Sequence, residues 1–265
     1  MHFTQNAIPN YLRFTIIIAL FWGLSATAQE KPGPSAEELA KANNPLADMT
    51  AFNIHNYYRP KLNEMPDGLS NTNWYRFARP TGKILWRLSV PLELRANGTA
   101  SRSGLGDLDL FGAYLTVTTP KLTFGFGPSA SFPTASKDEL GSGKYTLGAA
   151  VVAFAVPSPQ FQYGALVIWR TSIGGDADRS KVNFLALQPF YFWQLGKGLY
   201  FRGAPIIPID LETGNYHVPL GLGIGKVVKM SGTVFNFFIE PQYSVLVEGP
   251  GQPIFQLFTA VNMQF

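Results

Sequence analysis

The C-terminal segment PIFQLFTAVNMQF, residues 253–265, alternates between two kinds of side chain. Counting back from Phe265, every second residue is mainly apolar, and the residues between them include Gln264, Asn262 and Gln256. A repeat of two places successive side chains on opposite faces, so this segment is predicted to be a β-strand with one apolar and one polar face. A large aromatic ring at the last position predicts that this end of the chain is paired within a sheet.

The same alternation recurs along the chain from Ala51 onward. In ILWRLSVPLEL, residues 84–94, Arg87, Ser89 and Glu93 fall on the face opposite the apolar set. The segment KVNFLALQPFYFW, residues 181–193, is apolar on both faces, so the sequence does not assign its sides. Twelve strands are predicted, at residues 51–58, 73–80, 84–94, 107–117, 121–131, 145–155, 161–171, 181–193, 199–208, 216–228, 233–245 and 253–265.

The connections between these strands alternate in length. The links after odd-numbered strands are long and polar, such as RPKLNEMPDGLSNT (59–72) and FPTASKDELGSGK (132–144), whereas TGK (81–83) typifies the links after even-numbered strands. Long loops at one end, short turns at the other and an even strand count are typical of bacterial outer-membrane barrels. The first and third long links are predicted to act as gates because they are the longest.

The N-terminal residues carry an export signal. Arg13 is followed by FTIIIALFWGL, an apolar run of eleven residues, and then by SATAQ with the small residues Ala26 and Ala28. A transmembrane helix needs about 20 apolar residues. The run is therefore too short for an anchor, and residues 1–28 are predicted to be a signal peptide cleaved after about Ala28.

Composition narrows the fold class further. Charged residues make up 14% of the chain, against about 25% in ordinary soluble domains, and there is no cysteine for structural disulfides. The net charge of +4 becomes +3 when the signal is removed with Arg13, and no Lys/Arg run favours nucleic acid. Hydrocarbon admits only helices and edge-free sheets. Residues 51–265 are therefore predicted to form an all-β fold, a 12-stranded antiparallel transmembrane β-barrel.

Residues 29–50 differ from the strands that follow. Ser35 and Glu38 have the spacing of a capping box, and a short helix is predicted to end near residues 43–45. This segment is interpreted as a loose periplasmic tail, because chain termini are commonly loose unless they are tied down. The alternative is a plug that folds into the barrel.

Several segments also resemble a known family. NNPLADM (43–49), SGLGDLDL (103–110), GDADRSKVNFLALQPF (175–190) and VPLGLGIGKVVK (218–229) are similar to segments of outer-membrane transporters grouped with the MetA-pathway phenol-degradation proteins. Some members carry the misapplied name neuromedin U. The resemblance covers nearly the whole chain after the signal. It implies a barrel that passes small compounds, aromatic ones among them, and it supplies no functional residue.

Polar residues within the predicted strands are expected to face the barrel interior. An Arg or Lys facing lipid at mid-depth costs roughly 2–4 kcal/mol. The lumen-lining candidates are Arg76, Arg87, Glu93, Gln162, Arg170, Arg202, His217, Asn236, Glu240, Gln242 and Gln256. They could form either a polar path for solute or a paired network that seals the lumen.

The glycines of GLGIG, at 221, 223 and 225, share one parity and are predicted to face inward, opposite Leu220 and Leu222. They either clear space near the lumen axis or only permit the strand to bend. A dinucleotide-binding interpretation fails because the third glycine of that fingerprint is missing and no βαβ unit follows.

The sequence contains few residues that could support catalysis. Only His55 and His217 remain after the signal is removed, and neither lies in a nucleophile or metal-binding motif. No catalytic residue, metal or cofactor is therefore predicted. The preferred function is a passive outer-membrane channel for small molecules. The alternatives are a sealed structural or envelope-interaction barrel and, less favoured, an outer-membrane lipid hydrolase. The expected partners are outer-membrane lipid and lipopolysaccharide, a small solute, and the barrel assembly machinery through the strand that ends at Phe265.

Overall fold

The computed structural model describes residues 41–265. The predicted signal peptide and residues 29–40 of the predicted N-terminal segment lie outside this range. The strands are β1 (Ala51–Leu62), β2 (Gly68–Thr81), β3 (Ile84–Asn97), β4 (Ala100–Leu105), β5 (Leu108–Thr118), β6 (Leu122–Phe132), β7 (Lys144–Ala155), β8 (Phe161–Gly175), β9 (Asn183–Gly196), β10 (Leu199–Gly203), β11 (Ile207–Asp210), β12 (Tyr216–Gly221), β13 (Gly223–Met230), β14 (Thr233–Glu248) and β15 (Pro253–Gln264). A 3₁₀ turn covers Asp138–Leu140. Within residues 41–265 no helix is long and apolar enough to cross a membrane.

The strands close into one antiparallel ring. β1 pairs with β2 on one side and with β15 on the other, and β15 pairs in turn with β14. Ala51 lies opposite Gln264, and the Phe265 N–H donates to the Thr50 carbonyl at 2.9 Å. Six of the segments form three interrupted strands, because β4 continues into β5, β10 into β11 and β12 into β13. The predicted 12-stranded antiparallel barrel is confirmed.

The faces of the strands follow the predicted alternation. In β3, Leu85 and Ser89 are buried, whereas Trp86 and Leu88 are exposed on the outside of the ring. Large apolar side chains are exposed in the same way on many other strands, up to 64% for Ile173. Such an apolar outer surface would be a liability in water and suits hydrocarbon.

The structure assigns the faces of β9, which the sequence left open. Ala186, Phe190 and Phe192 are buried on the inner face, and Trp193 is exposed on the outer face. The inner rings pack against Phe154, with ring centroids 6.2 and 6.3 Å apart. This part of the barrel interior is therefore apolar and packed, and the interior is not uniformly polar.

The two ends of the barrel differ in their connections. One end, called the turn end, carries the first residue of β1, the last residue of β15 and short links such as residues 82–83 and 231–232. The opposite end, called the loop end, carries residues 133–143 and 176–182 as its longest links. The prediction of a long first loop is wrong, because β1 and β2 extend toward each other and leave only residues 63–67 between them.

The wall is interrupted between two neighbouring strands. β10 pairs with β13 only from Leu199 to Arg202, and β11 pairs with β12 at a single position. Prolines occur in this stretch at positions 205, 208 and 219. Proline has no N–H to donate, so it removes ladder hydrogen bonds and favours breaks of this kind.

Candidate functional site

Three cavities that share lining residues run along the inside of the barrel. The turn-end cavity, about 150 Å³, is bounded by Ala42 and Asn43. The central cavity, about 250 Å³, shares Arg76 and Arg87 with it. The loop-end vestibule, about 560 Å³, shares Arg170 with the central cavity. The described interior thus combines the packed apolar cluster around Phe154 with a series of cavities lined by both polar and apolar side chains.

A hydrogen-bonded network crosses the interior from β10 to β1. Arg202 Nε donates to Glu240 Oε2 at 2.7 Å, and Gln242 Nε2 donates to Glu240 Oε1 at 2.6 Å. Gln256 then donates to Gln242 Oε1 at 2.5 Å, and Arg59 Nε donates to Gln256 Oε1 at 3.1 Å. Four of the predicted lumen candidates therefore belong to one fully connected network.

Glu240 also supports the interrupted part of the wall. Its Oε1 accepts a hydrogen bond from the Ala204 N–H at 2.8 Å, directly after the end of β10. Gln188 Nε2 donates to the Ala204 carbonyl at 3.1 Å, and Tyr191 donates to the Gly221 carbonyl at 3.2 Å. Side chains therefore satisfy backbone groups that the broken ladder leaves without strand partners.

Asn236 connects the wall to the N-terminal segment. Its Nδ2 donates to the Ala42 carbonyl and to Asn43 Oδ1, both at 3.1 Å, and its Oδ1 accepts from the Tyr200 hydroxyl at 2.5 Å. Ala42 and Asn43 are buried, and Leu46 packs with the same apolar cluster as the inner face. Residues 41–43 are helical, and residues 42–45, 47 and 49 line the turn-end cavity.

Arg76 and Arg87 line both the turn-end cavity and the central cavity. Arg76 Nη1 lies 2.8 Å from His55 Nδ1, and His55 Nε2 lies 2.8 Å from Asn262 Oδ1. Arginine can only donate, so His55 accepts at Nδ1 and carries its proton on Nε2. Arg87 lies over the ring of Phe111, 5.0 Å from its centroid, and forms no hydrogen bond or ion pair with residues 41–265.

The loop-end vestibule has mixed charge. Arg170 forms a short ion pair with Asp109, and Glu93 pairs with Arg95 at 3.4 Å. The remaining charged residues of the vestibule lining are Asp107, Lys181 and Asp210. Acidic and basic groups therefore nearly balance at this mouth.

His217 and Gln162 lie apart from the main network. His217 is buried, lines the central cavity and places Nδ1 2.9 Å from Gln252 Oε1. Gln162 is fully buried, and neither of its side-chain polar atoms has a hydrogen-bond partner. Within residues 41–265 no group of three or more acidic or histidine side chains is arranged to hold a metal ion.

Each predicted lumen candidate is buried or lines one of the three cavities, but the sequence pattern missed several residues that contact them. Asp109 has the same parity as Phe111 and could have been found by the same alternation. The sequence pattern predicts a loop at Arg59, whereas the residue lies within β1. The ring partners Trp74 and Tyr57 carried no separate signal, because aromatic residues occur on both faces of these strands.

The GLGIG glycines face inward as predicted, with Leu220 and Leu222 exposed outside. A Cβ at Gly225 would clash with the ring of Tyr200, and one at Gly221 would clash with the Glu240 carboxylate. The glycines therefore accommodate inner side chains of adjacent strands, which is more specific than either predicted role.

The long link at 133–143 is fixed by polar contacts. Asp107 accepts from the Ser142 N–H at 2.7 Å and from the Ala135 N–H at 3.2 Å. Arg102 donates to Glu139 at 3.0 Å. A hydrogen bond from its own backbone N–H and the bond from Arg102 lower the pKa of the exposed Glu139 carboxyl.

Comparison with known proteins agrees with the barrel architecture. The fold is similar to that of an outer-membrane channel from Pseudomonas putida F1, with 11% sequence identity and a TM-score of 0.63 over 90% of this chain and 100% of that one. It is also similar to the NanC porin, with 11% identity and a TM-score of 0.52 over 81% and 98% of the two chains. No protein-family model matches the sequence, and no curated protein matches it. The chain has the fold of a transmembrane β-barrel.

Proposed function

We propose that this protein is a passive channel for small molecules in the bacterial outer membrane. The observation that carries the proposal is the series of cavities that share lining residues, charged and polar side chains among them, inside an apolar outer wall. Hydrocarbon requires the apolar outside, and a filled structural barrel would not need unpaired arginines inside. The similar Pseudomonas putida structure is described as an outer-membrane channel and the second as a porin, which supports this class.

The turn end is proposed to face the periplasm, with the signal peptide removed after about Ala28. Bacterial outer-membrane barrels carry short turns on the periplasmic side and longer loops outside. Residues 42–45, 47 and 49 then border the turn-end cavity on its periplasmic side. The buried Ala42, Asn43 and Leu46 support the plug alternative over a loose tail. We place the restriction at this segment rather than at the link 133–143, which polar contacts hold in place.

Aromatic or hydrophobic solutes are the proposed cargo. The resemblance to transporters grouped with phenol-degradation proteins supports aromatic compounds, and the rings of Tyr57, Trp74 and Phe184 line the central cavity. Diffusion along this lining needs no energy-coupling group.

Single-channel recording in planar lipid membranes tests the proposal. The mature chain should show small conductance steps, and a version that lacks residues 29–50 should show larger or more frequent steps. The ring itself closes from Ala51 to Gln264, so this version retains every strand. Uptake of a neutral aromatic solute by liposomes gives a second readout. A barrel that stays closed to ions and solutes in both versions would reject the channel and favour the sealed structural alternative.

The C-terminal strand is proposed to be read by the barrel assembly machinery. β15 alternates along its whole length and ends beside the exposed ring of Phe265. β15 also closes the ring against β1, so it must remain available until the other strands are in place. Lipid and lipopolysaccharide are the proposed partners of the outer wall.

A further inference from the structure

We infer that the central cavity is a binding site for small organic carboxylates. This inference rests on the proposed channel function and specifies its substrate class. The first observation is charge. The central cavity is lined by four arginines, Arg59, Arg76, Arg87 and Arg170, against one carboxylate, Asp109. That carboxylate pairs with Arg170, so the other three have no acidic partner among residues 41–265.

The second observation is unused hydrogen-bonding capacity. The Nε atoms of Arg76 and Arg87 are buried without a partner. Both side chains are partly buried, and a guanidinium remains protonated in proteins, so a cluster of such groups without counter-charges attracts an anion. An anion in the cavity would supply the missing counter-charge.

The third observation is geometry. Arg76 lies opposite Ser89 in the β2–β3 ladder, and Ala78 lies opposite Arg87. The two arginines are therefore diagonal neighbours on the inner face, at a Cα separation of about 7–8 Å. A planar guanidinium can bind a carboxylate through two parallel hydrogen bonds, so this pair can hold a carboxylate from two sides.

The fourth observation concerns the body of the ligand. Arg76 lies 5.0 Å from the Trp74 ring centroid, and Arg59 lies 5.4 Å from that of Tyr57. Stacking of this kind holds a guanidinium in place and leaves its edge free for an anion. A cavity of about 150 Å³ suffices for benzene. The central cavity, about 250 Å³, therefore accommodates a carboxylate on a single aromatic ring or an aliphatic body of similar size.

Titration calorimetry on the detergent-solubilised mature protein tests the site directly. The probes are benzoate, its neutral analogue benzamide and the cation benzylamine. Benzoate should bind saturably, and benzamide should bind at least tenfold more weakly. Arg76→Gln and Arg87→Gln should each weaken benzoate binding on the order of tenfold to a hundredfold, since each removes charge-assisted hydrogen bonds. Arg87→Lys keeps the charge but loses the planar guanidinium. Its affinity for benzoate should therefore lie between that of the unmodified protein and that of Arg87→Gln.

The matched control is Arg79→Gln. Arg79 lies on the same strand as Arg76 but is exposed on the outer face, so benzoate binding should not change. Heat-modifiable migration on gels verifies that each variant is folded. Equal affinity for benzoate and benzamide, or undiminished binding in folded Arg76→Gln and Arg87→Gln, would overturn the site. Competition by chloride as strong as that by acetate would overturn the carboxylate assignment.

The reversal potential across a salt gradient reports which ion the barrel prefers to conduct. This measurement separates the carboxylate inference from the proposed channel function. Conductance without a benzoate preference rejects the carboxylate site and leaves the channel standing. Saturable benzoate binding in a barrel that never conducts rejects the channel and supports the site.

Discussion

Replacement of Glu240 by alanine should destabilise the barrel more than removal of any exposed charge. Glu240 is fully buried and accepts hydrogen bonds from Arg202, Gln242 and the Ala204 N–H. Arg202 also lies 3.4 Å from the ring centroid of Phe238, so its charge cannot turn toward water without losing that contact. The substitution leaves a buried cation and two buried donors without partners.

The magnitude follows from the contacts. Removal of one partner from a buried ion pair costs about 3–5 kcal/mol, and each additional unsatisfied donor costs about 1–3 kcal/mol. Because the groups share one carboxylate, these costs overlap. We expect Glu240→Ala to lower the free energy of unfolding by about 4 kcal/mol or more. Glu240→Gln keeps an acceptor for the Ala204 N–H and should cost about half as much.

A double variant separates the ion pair from the backbone contact. Arg202→Met combined with Glu240→Leu removes both charges, and such replacements are often neutral or stabilising. It should therefore remove the cost of the unpaired Arg202 and retain the cost of the two donors that lose Glu240, the Ala204 N–H and Gln242 Nε2, at about 1–3 kcal/mol each.

Guanidinium unfolding followed by tryptophan fluorescence in detergent micelles measures these differences. The control is Glu139→Ala, because the side chains of Arg102 and Glu139 are 51% and 54% exposed and such exposed pairs contribute little to stability. A Glu240→Ala barrel within about 1 kcal/mol of the unmodified protein would refute the reasoning. A double variant as unstable as the single one would show that charge burial is not the cause.

Three further outcomes are expected. Deletion of Phe265 should lower the fraction of heat-modifiable, membrane-inserted barrel, whereas Phe265→Tyr should not. Equal assembly of the deletion variant and Phe265→Tyr would contradict recognition of the terminal ring. Asn236→Ala removes both hydrogen bonds to residues 42–43, so single-channel recording should show more frequent opening, and unchanged gating would contradict the plug. Val151→Arg on the outer face of β7 should lower the free energy of unfolding by roughly 2–4 kcal/mol. Val151→Leu should be nearly neutral, and equal stability of the two variants would contradict a lipid-facing position.

The strand pattern could be predicted because one face of each strand is apolar over its whole length. β3 shows this directly, since the parity of Arg87 and Ser89 in the sequence matches their inward position. β9 could not be assigned, because its inner face carries Phe190 and Phe192 and both faces are therefore apolar. The first long loop was predicted wrongly because polar residues in an extended hairpin look like a loop.

The contacts inside the barrel depend on register, which the sequence does not specify. The inward parity of Glu240 is readable, but its neighbours are Arg202 on β10 and the Ala204 N–H at a break in the wall. The prolines near 205–208 indicate an interrupted ladder, yet nothing local shows which side chain satisfies the freed N–H. Such partners become visible only when strands distant in sequence are placed side by side.

The interior arginines divide into two groups by their partners, and this division connects the stability of the barrel with its proposed function. Arg202 has an acidic partner and lies in a satisfied network, so its role is explained by the wall that it holds. Arg76 and Arg87 have the same inward parity but keep buried donors without acceptors. Stability alone would favour an apolar residue or an added carboxylate at such positions, because both side chains are partly buried and a partly buried charge without a counter-charge contributes little to the fold. Their unmet hydrogen bonds are therefore better explained by an anion that enters and leaves than by the packing of the barrel itself.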